Sequence, residues 1–290
     1  SVNPLDWHLI RGEPFIARLM VGLRKSKLKR PGADVSGRIE AIGKNVTHFK
    51  RGDEVFGSCR GAFAEFACAP ESALAIKPRN ATFEQAASVP VAGFTALQGL
   101  RDRGQIRPGQ KVLVNGASGG VGTFAVQIAK SFGADVTGVC STRNVEMVRS
   151  IGADRVIDYT KEDFTRSGSR YDLVLDAYAN HSQSEYRGVL NPTGRYVIVG
   201  GPWTGVIRLL AHLIAAGLSS RFSKRKVLTL MARNRKEDLV VLRELIETDR
   251  VRPVIDRTYT LDDVPQAVRY MEEGHPRGKV VITLDSEQPA

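Results

Sequence analysis

The segment 111–122 constrains the fold of this 290-residue chain more than any other. It reads Lys-Val-Leu-Val-Asn-Gly-Ala-Ser-Gly-Gly-Val-Gly, an apolar strand that leads directly into a glycine-rich turn. The residues that follow, as far as Phe132, have the apolar spacing of a helix. Glycines let the backbone approach a pyrophosphate closely, and the helix N-terminus offers unpaired N–H groups to negative charge. The segment therefore predicts a dinucleotide-binding turn, although Ala117 replaces the first glycine of the usual G-x-G-x-x-G.

Alternating strand and helix patterns surround this turn. Helical spacing occurs at 119–132 and again at 145–151. Strands that alternate with helices form parallel sheets, because each crossover helix returns the chain to the same end of the sheet. The predicted fold class is therefore α/β, with a doubly wound parallel Rossmann sheet over residues 86–236. Its strands are predicted at 111–115, 136–140, 155–158, 173–176 and 196–199.

The chain on either side of this region has a different pattern. Residues 1–85 are rich in glycine and β-branched residues, which is typical of an antiparallel, barrel-like domain. Thr82 and Gln85 have the spacing of a capping box at the start of an alanine-rich helix. Residues 237–290 are predicted to return to the first domain. The elements predicted outside the Rossmann region are strands at 38–42, 54–56, 62–67, 254–259 and 279–284, and helices at 238–247 and 264–273.

The end of the second Rossmann strand indicates which nicotinamide cofactor binds. NAD enzymes place Asp or Glu there to accept hydrogen bonds from the ribose hydroxyls, but this chain reads Cys-Ser-Thr-Arg-Asn at 140–144. A guanidinium and nearby hydroxyls suit a 2′-phosphate, because they offer charge and several donors together. We therefore predict NADPH over NADH, with Ser141 and Arg143 binding the 2′-phosphate. The alternative is that Arg143 only begins a solvated helix.

Charge, hydropathy and cysteine content limit the kinds of partner and location that are expected for this chain. The formal net charge is +11, but the basic clusters at 24–30 and 221–235 lack interleaved aromatic residues, so no specific nucleic-acid partner is expected. The longest apolar stretch, 209–218, is too short to span a bilayer, so no transmembrane segment is expected. Three widely spaced cysteines with no C-x-x-C pair favour a reducing compartment, and we predict a cytoplasmic location.

Six motifs lie at 1–6, 52–57, 92–96, 116–122, 152–159 and 274–279. Together they resemble the zinc-free quinone oxidoreductases of the medium-chain dehydrogenase/reductase superfamily, especially the reticulon-4-interacting mitochondrial reductases and plant alkenal/one reductases. The resemblance implies a GroES-like, mostly antiparallel β-barrel domain beside the Rossmann domain, with its N-terminal part missing from this chain. The zinc enzymes of the superfamily have a Cys near the position of Asn3 and a His near that of Ala33; neither ligand is present here, so no metal site is expected.

The resemblance also implies roles for single residues in cofactor binding. Tyr159 would contact the adenosine end, and Thr95 would lie near the nicotinamide with Gly200 behind it. Asn3 would face the nicotinamide, while His275 and Arg277 would close over the cofactor. The residues expected to hold the pyrophosphate are Ser118, Gly119, Gly120 and Val121.

The activity implied by the resemblance is hydride transfer from NADPH to a quinone or to the β-carbon of an enone. Negative charge then develops on the substrate oxygen and must be stabilised by hydrogen-bond donors. The proton comes from solvent or from Tyr178, which stands where the family usually has a small Val-Gly pair. Packing against the inter-domain surface is the other interpretation of Tyr178. Asn3 and Tyr178 are the predicted catalytic residues.

Two other functions remain open at this stage. An enoyl-thioester reductase would use the same fold on a different substrate. An NADPH-binding scaffold or regulator with little catalysis would need no substrate, because a fold does not establish an activity. A homodimer formed through the cofactor domain is the oligomeric state that the resemblance implies.

Overall fold

The computed structural model describes residues 1–12, 30–200, 225–274 and 276–284. The chain forms two compact units: unit 1 comprises Ser1–Ala92, Arg233–Asp249 and Pro253–Ala290, and unit 2 comprises Gly93–Ala232 and Arg250–Arg252. The predicted domain assignments 1–85, 86–236 and 237–290 stay predictions. The apolar stretch 209–218, residues 24–29 and 221–224 of the two basic clusters, and His275 lie outside the described residues.

The secondary-structure elements are numbered along the described part of the chain. The strands are β1 Asp34–Arg38, β2 Glu54–Ser58, β3 Leu74–Ile76, β4 Lys111–Asn115, β5 Asp135–Cys140, β6 Arg155–Asp158, β7 Tyr171–Asp176, β8 Leu190–Ile198, β9 Lys226–Thr229, β10 Ile255–Thr260 and β11 Lys279–Thr283. The α-helices are α1 Pro4–Arg11, α2 Phe83–Ala87, α3 Pro90–Gln98, α4 Gly120–Ser131, α5 Val145–Ser150, α6 Gln183–Val189, α7 Lys236–Glu247 and α8 Val264–Glu272.

Unit 2 is built on a six-stranded parallel sheet in the order β6-β5-β4-β7-β8-β9. This is the strand order of the doubly wound dinucleotide-binding fold, with the switch point between β4 and β7. Residues 112–114 of β4 and 173–175 of β7 are at most 1% exposed. Such apolar strands are covered on both faces, as parallel sheets require. The predicted Rossmann sheet is confirmed.

Unit 1 contains an antiparallel sheet in the order β1-β2-β3 and a parallel pair, β10 and β11. The predicted capping box is present, because the Gln85 main-chain N–H donates to Thr82 Oγ1 at 3.2 Å and the Thr82 N–H donates to Gln85 Oε1 at 3.0 Å. The helix that it starts is short, and a second helix begins at Pro90. The chain start joins the last strand, because Val2 forms an isolated bridge with Val280.

Two strand predictions in unit 1 are wrong. The predicted strand 38–42 is instead β1, which ends at Arg38, since its partner β2 begins at Glu54 and Gly52 turns the chain with a φ of +89°. The predicted strand 62–67 has no strand partner among the described residues, and Phe66 is 75% exposed there. Partner strands decide such boundaries, and a short apolar run does not reveal them.

Candidate functional site

The glycine-rich turn after β4 has a backbone that side chains would disrupt. Gly116 has a φ of +82°, which residues with a Cβ rarely adopt. A Cβ on Gly122 would lie 2.0 Å from the Gly116 carbonyl oxygen, so only glycine fits at this point of α4. At Gly119, the residue before the helix, a Cβ would keep an ordinary 3.5 Å from that oxygen. Gly116 and Gly122 therefore determine the shape of the turn, whereas Gly119 leaves space above it.

The turn gives the start of α4 an anion-binding geometry. The first N–H groups of a helix have no partner within it, and at this end of α4 they belong to Gly120 and Val121. The Gly119 N–H is used within the turn, where it donates to the Gly116 carbonyl oxygen at 3.1 Å. Ser118, Gly119, Gly120 and Val121 are all half-buried. Unpaired N–H groups and the positive end of the helix dipole attract a phosphate. The residues present therefore fit the pyrophosphate of a dinucleotide.

Asn144 connects this turn to the end of β5. Its side chain is 4% exposed, and Nδ2 donates to Ser118 Oγ at 3.1 Å and to Ser141 Oγ at 3.2 Å. Because the two hydroxyl oxygens accept from the amide, their own hydrogens are free to donate outward. Asn144 Oδ1 is buried without a hydrogen-bond partner in the described part of the chain. The sequence reasoning missed this residue, although it directly follows Arg143.

An acid also lies beside the end of β5, which the sequence reasoning did not foresee. Asp158 ends β6 and accepts hydrogen bonds from Thr142 Oγ1 at 2.6 Å and Thr160 Oγ1 at 2.7 Å. The Thr142 hydroxyl holds the pKa of this carboxyl below its usual range. Arg143 is exposed on the turn Thr142–Asn144, and Tyr159 is 58% exposed after β6.

The remaining predicted residues of unit 2 lie at other strand ends and on one helix. Tyr178 follows β7 and is 54% exposed, and a Cβ on Gly116 would lie 3.8 Å from Tyr178 Cβ. Gly200 follows β8, where a Cβ would lie 2.6 Å from the Ala177 carbonyl oxygen. Thr95 is buried on α3. The structure thus brings Tyr178 to the glycine turn, while Ser141, Arg143 and Tyr159 lie on the β5–β6 side.

In unit 1, Asn3 belongs to a buried polar network. Its Nδ2 donates to Asp34 Oδ2 at 2.8 Å, and its Oδ1 accepts from Lys279 Nζ at 2.6 Å. Lys279 Nζ also lies 3.5 Å from Asp34 Oδ2, and all three side chains are almost completely buried. Burial lowers the pKa of Lys279, and the Asp34 carboxylate opposes this. The side-chain amide of Asn3 is therefore hydrogen-bonded at both ends within its own unit.

The other residues predicted to bind the cofactor or a metal in unit 1 have few contacts that bear on these roles. Arg277 is exposed, and its main-chain N–H donates to Asp256 Oδ2 at 3.0 Å. Residue 275 is not described, so the predicted role of His275 stays a prediction. No group of three or more His, Cys, Asp and Glu side chains within the described ranges has the geometry of a metal site. No helix in those ranges is long and apolar enough to span a membrane.

Asp6 gives the buried network of Asn3, Asp34 and Lys279 a pH-dependent stability, because it accepts a hydrogen bond from the main chain of Asn3. Burial raises the pKa of its carboxyl to about 6, whereas the main-chain N–H of Asn3, which donates at 2.8 Å, opposes this rise. An unfolded Asp titrates near ~3.9, so the stabilisation that Asp6 contributes is complete below that pH and is lost as the pH rises to about 6. Asp6→Asn removes the ionisation and keeps an acceptor oxygen for Asn3.

We therefore expect Asp6→Asn to gain stability over the wild type by about 2 kcal/mol between pH 4 and pH 7, measured by urea unfolding at each pH. Asp262→Asn, at an exposed carboxylate, is the matched control and should leave the stability difference flat over this range. A flat difference for Asp6→Asn as well would show that Asp6 ionises normally in the folded protein.

The two glycines of the turn should respond differently to alanine. Gly122→Ala places a methyl group against a carbonyl oxygen and should destabilise the protein by about 2 kcal/mol or more. Gly119→Ala has space and an allowed backbone, so its stability should stay within about 1 kcal/mol of wild type while dinucleotide binding weakens. Thermal unfolding and cofactor titration measure the pair, and equal melting temperatures would contradict the turn geometry.

Comparison with known proteins agrees with this geometry. The family model for the alcohol dehydrogenase GroES-like domain matches residues 1–79, and the model described as zinc-binding dehydrogenase matches residues 151–282. The solved quinone oxidoreductase from Coxiella burnetii superposes with a TM-score of 0.82 at 31% identity, covering 97% of this chain and 87% of that one. The α/β fold with a GroES-like domain is therefore confirmed.

Curated relatives match over nearly the whole chain. The chloroplast envelope quinone oxidoreductase homolog of Arabidopsis thaliana is 33% identical, with 97% of this chain and 86% of the relative covered. The mitochondrial NAD(P)H oxidoreductase RTN4IP1 of Mus musculus is 33% identical, with 98% of this chain and 79% of the relative covered. The chain belongs to the quinone oxidoreductase family of medium-chain dehydrogenases/reductases, oxidoreductases that use a nicotinamide cofactor.

Proposed function

We propose that this protein is an NADPH-dependent reductase of quinones and α,β-unsaturated carbonyls that works without zinc. The observation that carries the proposal is the arrangement around Asn144. One buried amide orients the hydroxyl of Ser118 at the glycine turn and that of Ser141 at the end of β5. Both hydroxyls keep a hydrogen to donate, as two separate phosphate groups would require.

The preference for NADPH rests on charges at the end of β5. Arg143 is exposed and adds a positive charge next to Ser141, which suits a 2′-phosphate. The acid nearby, Asp158, is engaged by the hydroxyls of Thr142 and Thr160, and Lys161 Nζ lies 3.6 Å from it. Its carboxylate is therefore less available to a ribose hydroxyl than the acid of an NAD enzyme would be.

The substrate class follows from the chemistry of hydride acceptors. The reduced nicotinamide supplies a hydride when bound. An enone takes it at the β-carbon and a quinone takes it into its conjugated system, and both develop negative charge on oxygen, which donors must stabilise. We propose Tyr178 for this work, and its exposed phenol is also available as a proton donor, with solvent as the alternative. The predicted catalytic role of Asn3 stays a prediction, because its side-chain amide is hydrogen-bonded to Asp34 and Lys279 within unit 1.

The first test is NADPH oxidation by the purified protein. An ortho-quinone, a short alkenal and a crotonyl thioester serve as acceptors, with NADH as the control cofactor. We expect turnover with the quinone or the alkenal and a preference for NADPH. Turnover confined to the crotonyl thioester would make the protein an enoyl-thioester reductase. NADPH binding without turnover of any acceptor would favour a scaffold or regulator.

The cofactor preference has its own test. Arg143→Ala should raise KM for NADPH about 10-fold or more, because a charged hydrogen bond to phosphate is lost, and should change KM for NADH little. Arg149→Ala is the matched control, since Arg149 is an exposed arginine on α5 that pairs with Glu146 at 2.7 Å. Equal effects of Arg143→Ala on the two cofactors would show that Arg143 does not bind the 2′-phosphate.

A cytoplasmic location and a homodimer complete the proposal. The cysteines Cys59, Cys68 and Cys140 are all free, which is consistent with a reducing compartment. The two curated relatives described above carry chloroplast and mitochondrial names, so the compartment of this protein is proposed from its own cysteines alone. The homodimer is proposed because the resemblance to the family implies it.

A further inference from the structure

A buried carboxylate, Asp176, joins the carboxyl ends of the two strands at the switch point of the Rossmann sheet. Asp176 is the last residue of β7, and its side chain is fully buried. Asn115, the last residue of β4, donates from Nδ2 to Asp176 Oδ1 at 2.9 Å. The bond crosses from β4 to β7, where open α/β sheets bind their ligands.

The same carboxylate oxygen holds the turn that follows β7. Asp176 Oδ1 accepts hydrogen bonds from the main-chain N–H of Tyr178 at 3.0 Å and from that of Ala179 at 2.8 Å. Ala179 has a φ of +50°, a left-handed conformation that is unfavourable for a residue with a Cβ. Hydrogen bonds to a charged acceptor offset this cost. The conformation of the turn therefore depends on Asp176.

Two stacked tyrosines fix the carboxylate and its amide partner. Tyr196 Oη donates to Asp176 Oδ2 at 2.7 Å, and Tyr186 Oη accepts from Asn115 Nδ2 at 3.1 Å. The two rings stack with centroids 4.1 Å apart. Burial raises the pKa of both phenols, so both keep their protons. We call Asn115, Asp176, Tyr186 and Tyr196 the Asp176 network.

The turn that this network holds lies against two segments predicted to bind the cofactor. A Cβ on Gly116 would lie 3.6 Å from Ala177 Cβ, and one on Gly200 would lie 2.6 Å from the Ala177 carbonyl oxygen. The main-chain oxygen of Asp176 also accepts from the Gly200 N–H at 3.3 Å. A displaced turn would therefore move against both glycines.

The strand order tells which half of a dinucleotide the turn would meet. β5, with the predicted 2′-phosphate residues, lies on one side of β4, and β7 lies on the other. A dinucleotide that binds its pyrophosphate at the turn after β4 and its adenosine ribose at β5 has its nicotinamide half on the β7 side. The turn after β7 would therefore lie against the nicotinamide half of the bound cofactor.

We propose that Asp176 is a positioning residue for the nicotinamide half of the cofactor and does not affect the adenosine half. It acts through the main chain of Tyr178 and Ala179, which it holds in a left-handed turn, and the Tyr196 hydroxyl holds the carboxylate in place. The proposal rests on the proposed function, since it needs a bound nicotinamide cofactor.

The test compares NADPH with 2′,5′-ADP, which carries only the adenosine half. Affinities for both are measured by calorimetry on the full chain, together with kcat, KM for NADPH and the melting temperature. The variants are Asp176→Ala and Tyr196→Phe. The second removes only one hydroxyl group, so it still tests the proposal if Asp176→Ala does not fold. Tyr171→Phe is the matched control, because Tyr171 also ends in a buried hydroxyl but makes no hydrogen bond in the described structure.

We expect both network variants to weaken NADPH binding or lower kcat about 10-fold, as loss of a hydrogen bond to a buried charge would. Their affinity for 2′,5′-ADP should stay within about 2-fold of wild type, and Tyr171→Phe should change neither ligand. Equal weakening of NADPH and 2′,5′-ADP, or no change in either, would overturn the positioning role. A wild-type protein that binds neither ligand would instead refute the proposed function itself.

Discussion

Unit 2 depends on the pairing of β4 with β7. The chain leaves β4 and adds β5 and β6 on one side of it, then returns to place β7 on the other side. In this fold the connections after two such strands run apart, and ligands bind outside their carboxyl ends. The cofactor residues predicted at strand ends of unit 2 follow the strands from β4 to β8, so they lie along this carboxyl edge of the sheet. The apolar cores of β4 and β7, buried on both faces, hold the two strand ends together.

The two units contain buried charges that are stabilised in different ways. In unit 1, Lys279 lies next to Asp34, so opposite charges compensate each other with help from the amide of Asn3. In unit 2, Asp176 accepts its hydrogen bonds described above from neutral donors: two main-chain N–H groups, an amide and a phenol. Removing either partner of a buried ion pair destabilises the fold, because the other charge is left without compensation. A carboxylate that accepts only from neutral donors instead fixes the positions of the groups that donate to it. The second arrangement is suited to holding a turn.

The sequence predicted those features that depend on local chemistry. Gly116 and Gly122 were recognisable because only glycine allows their backbone geometry, and the strand that precedes them was predicted with the observed bounds, 111–115. The strands predicted at 38–42 and 62–67 failed because a partner strand determines where pairing stops. The roles of Asp176 and Asp158 were not predictable, since their partners include residues as distant in sequence as Asn115. Asn144 was missed for another reason, because its role depends on the orientation of its side chain.

The bridge between Val2 and Val280 has a consequence for how the chain folds during synthesis. Unit 2 is almost continuous in sequence, so its sheet can assemble while the ribosome is still adding later residues. Unit 1 cannot be completed at that stage, because Asp34 lacks Lys279 and Val2 lacks Val280 until the last strand emerges. The nucleotide-binding unit can therefore form before β11 is synthesised, whereas unit 1 stays incomplete until β11 is available. Until then, Val2 and the apolar residues that pack with Val280 in the finished unit lack this partner.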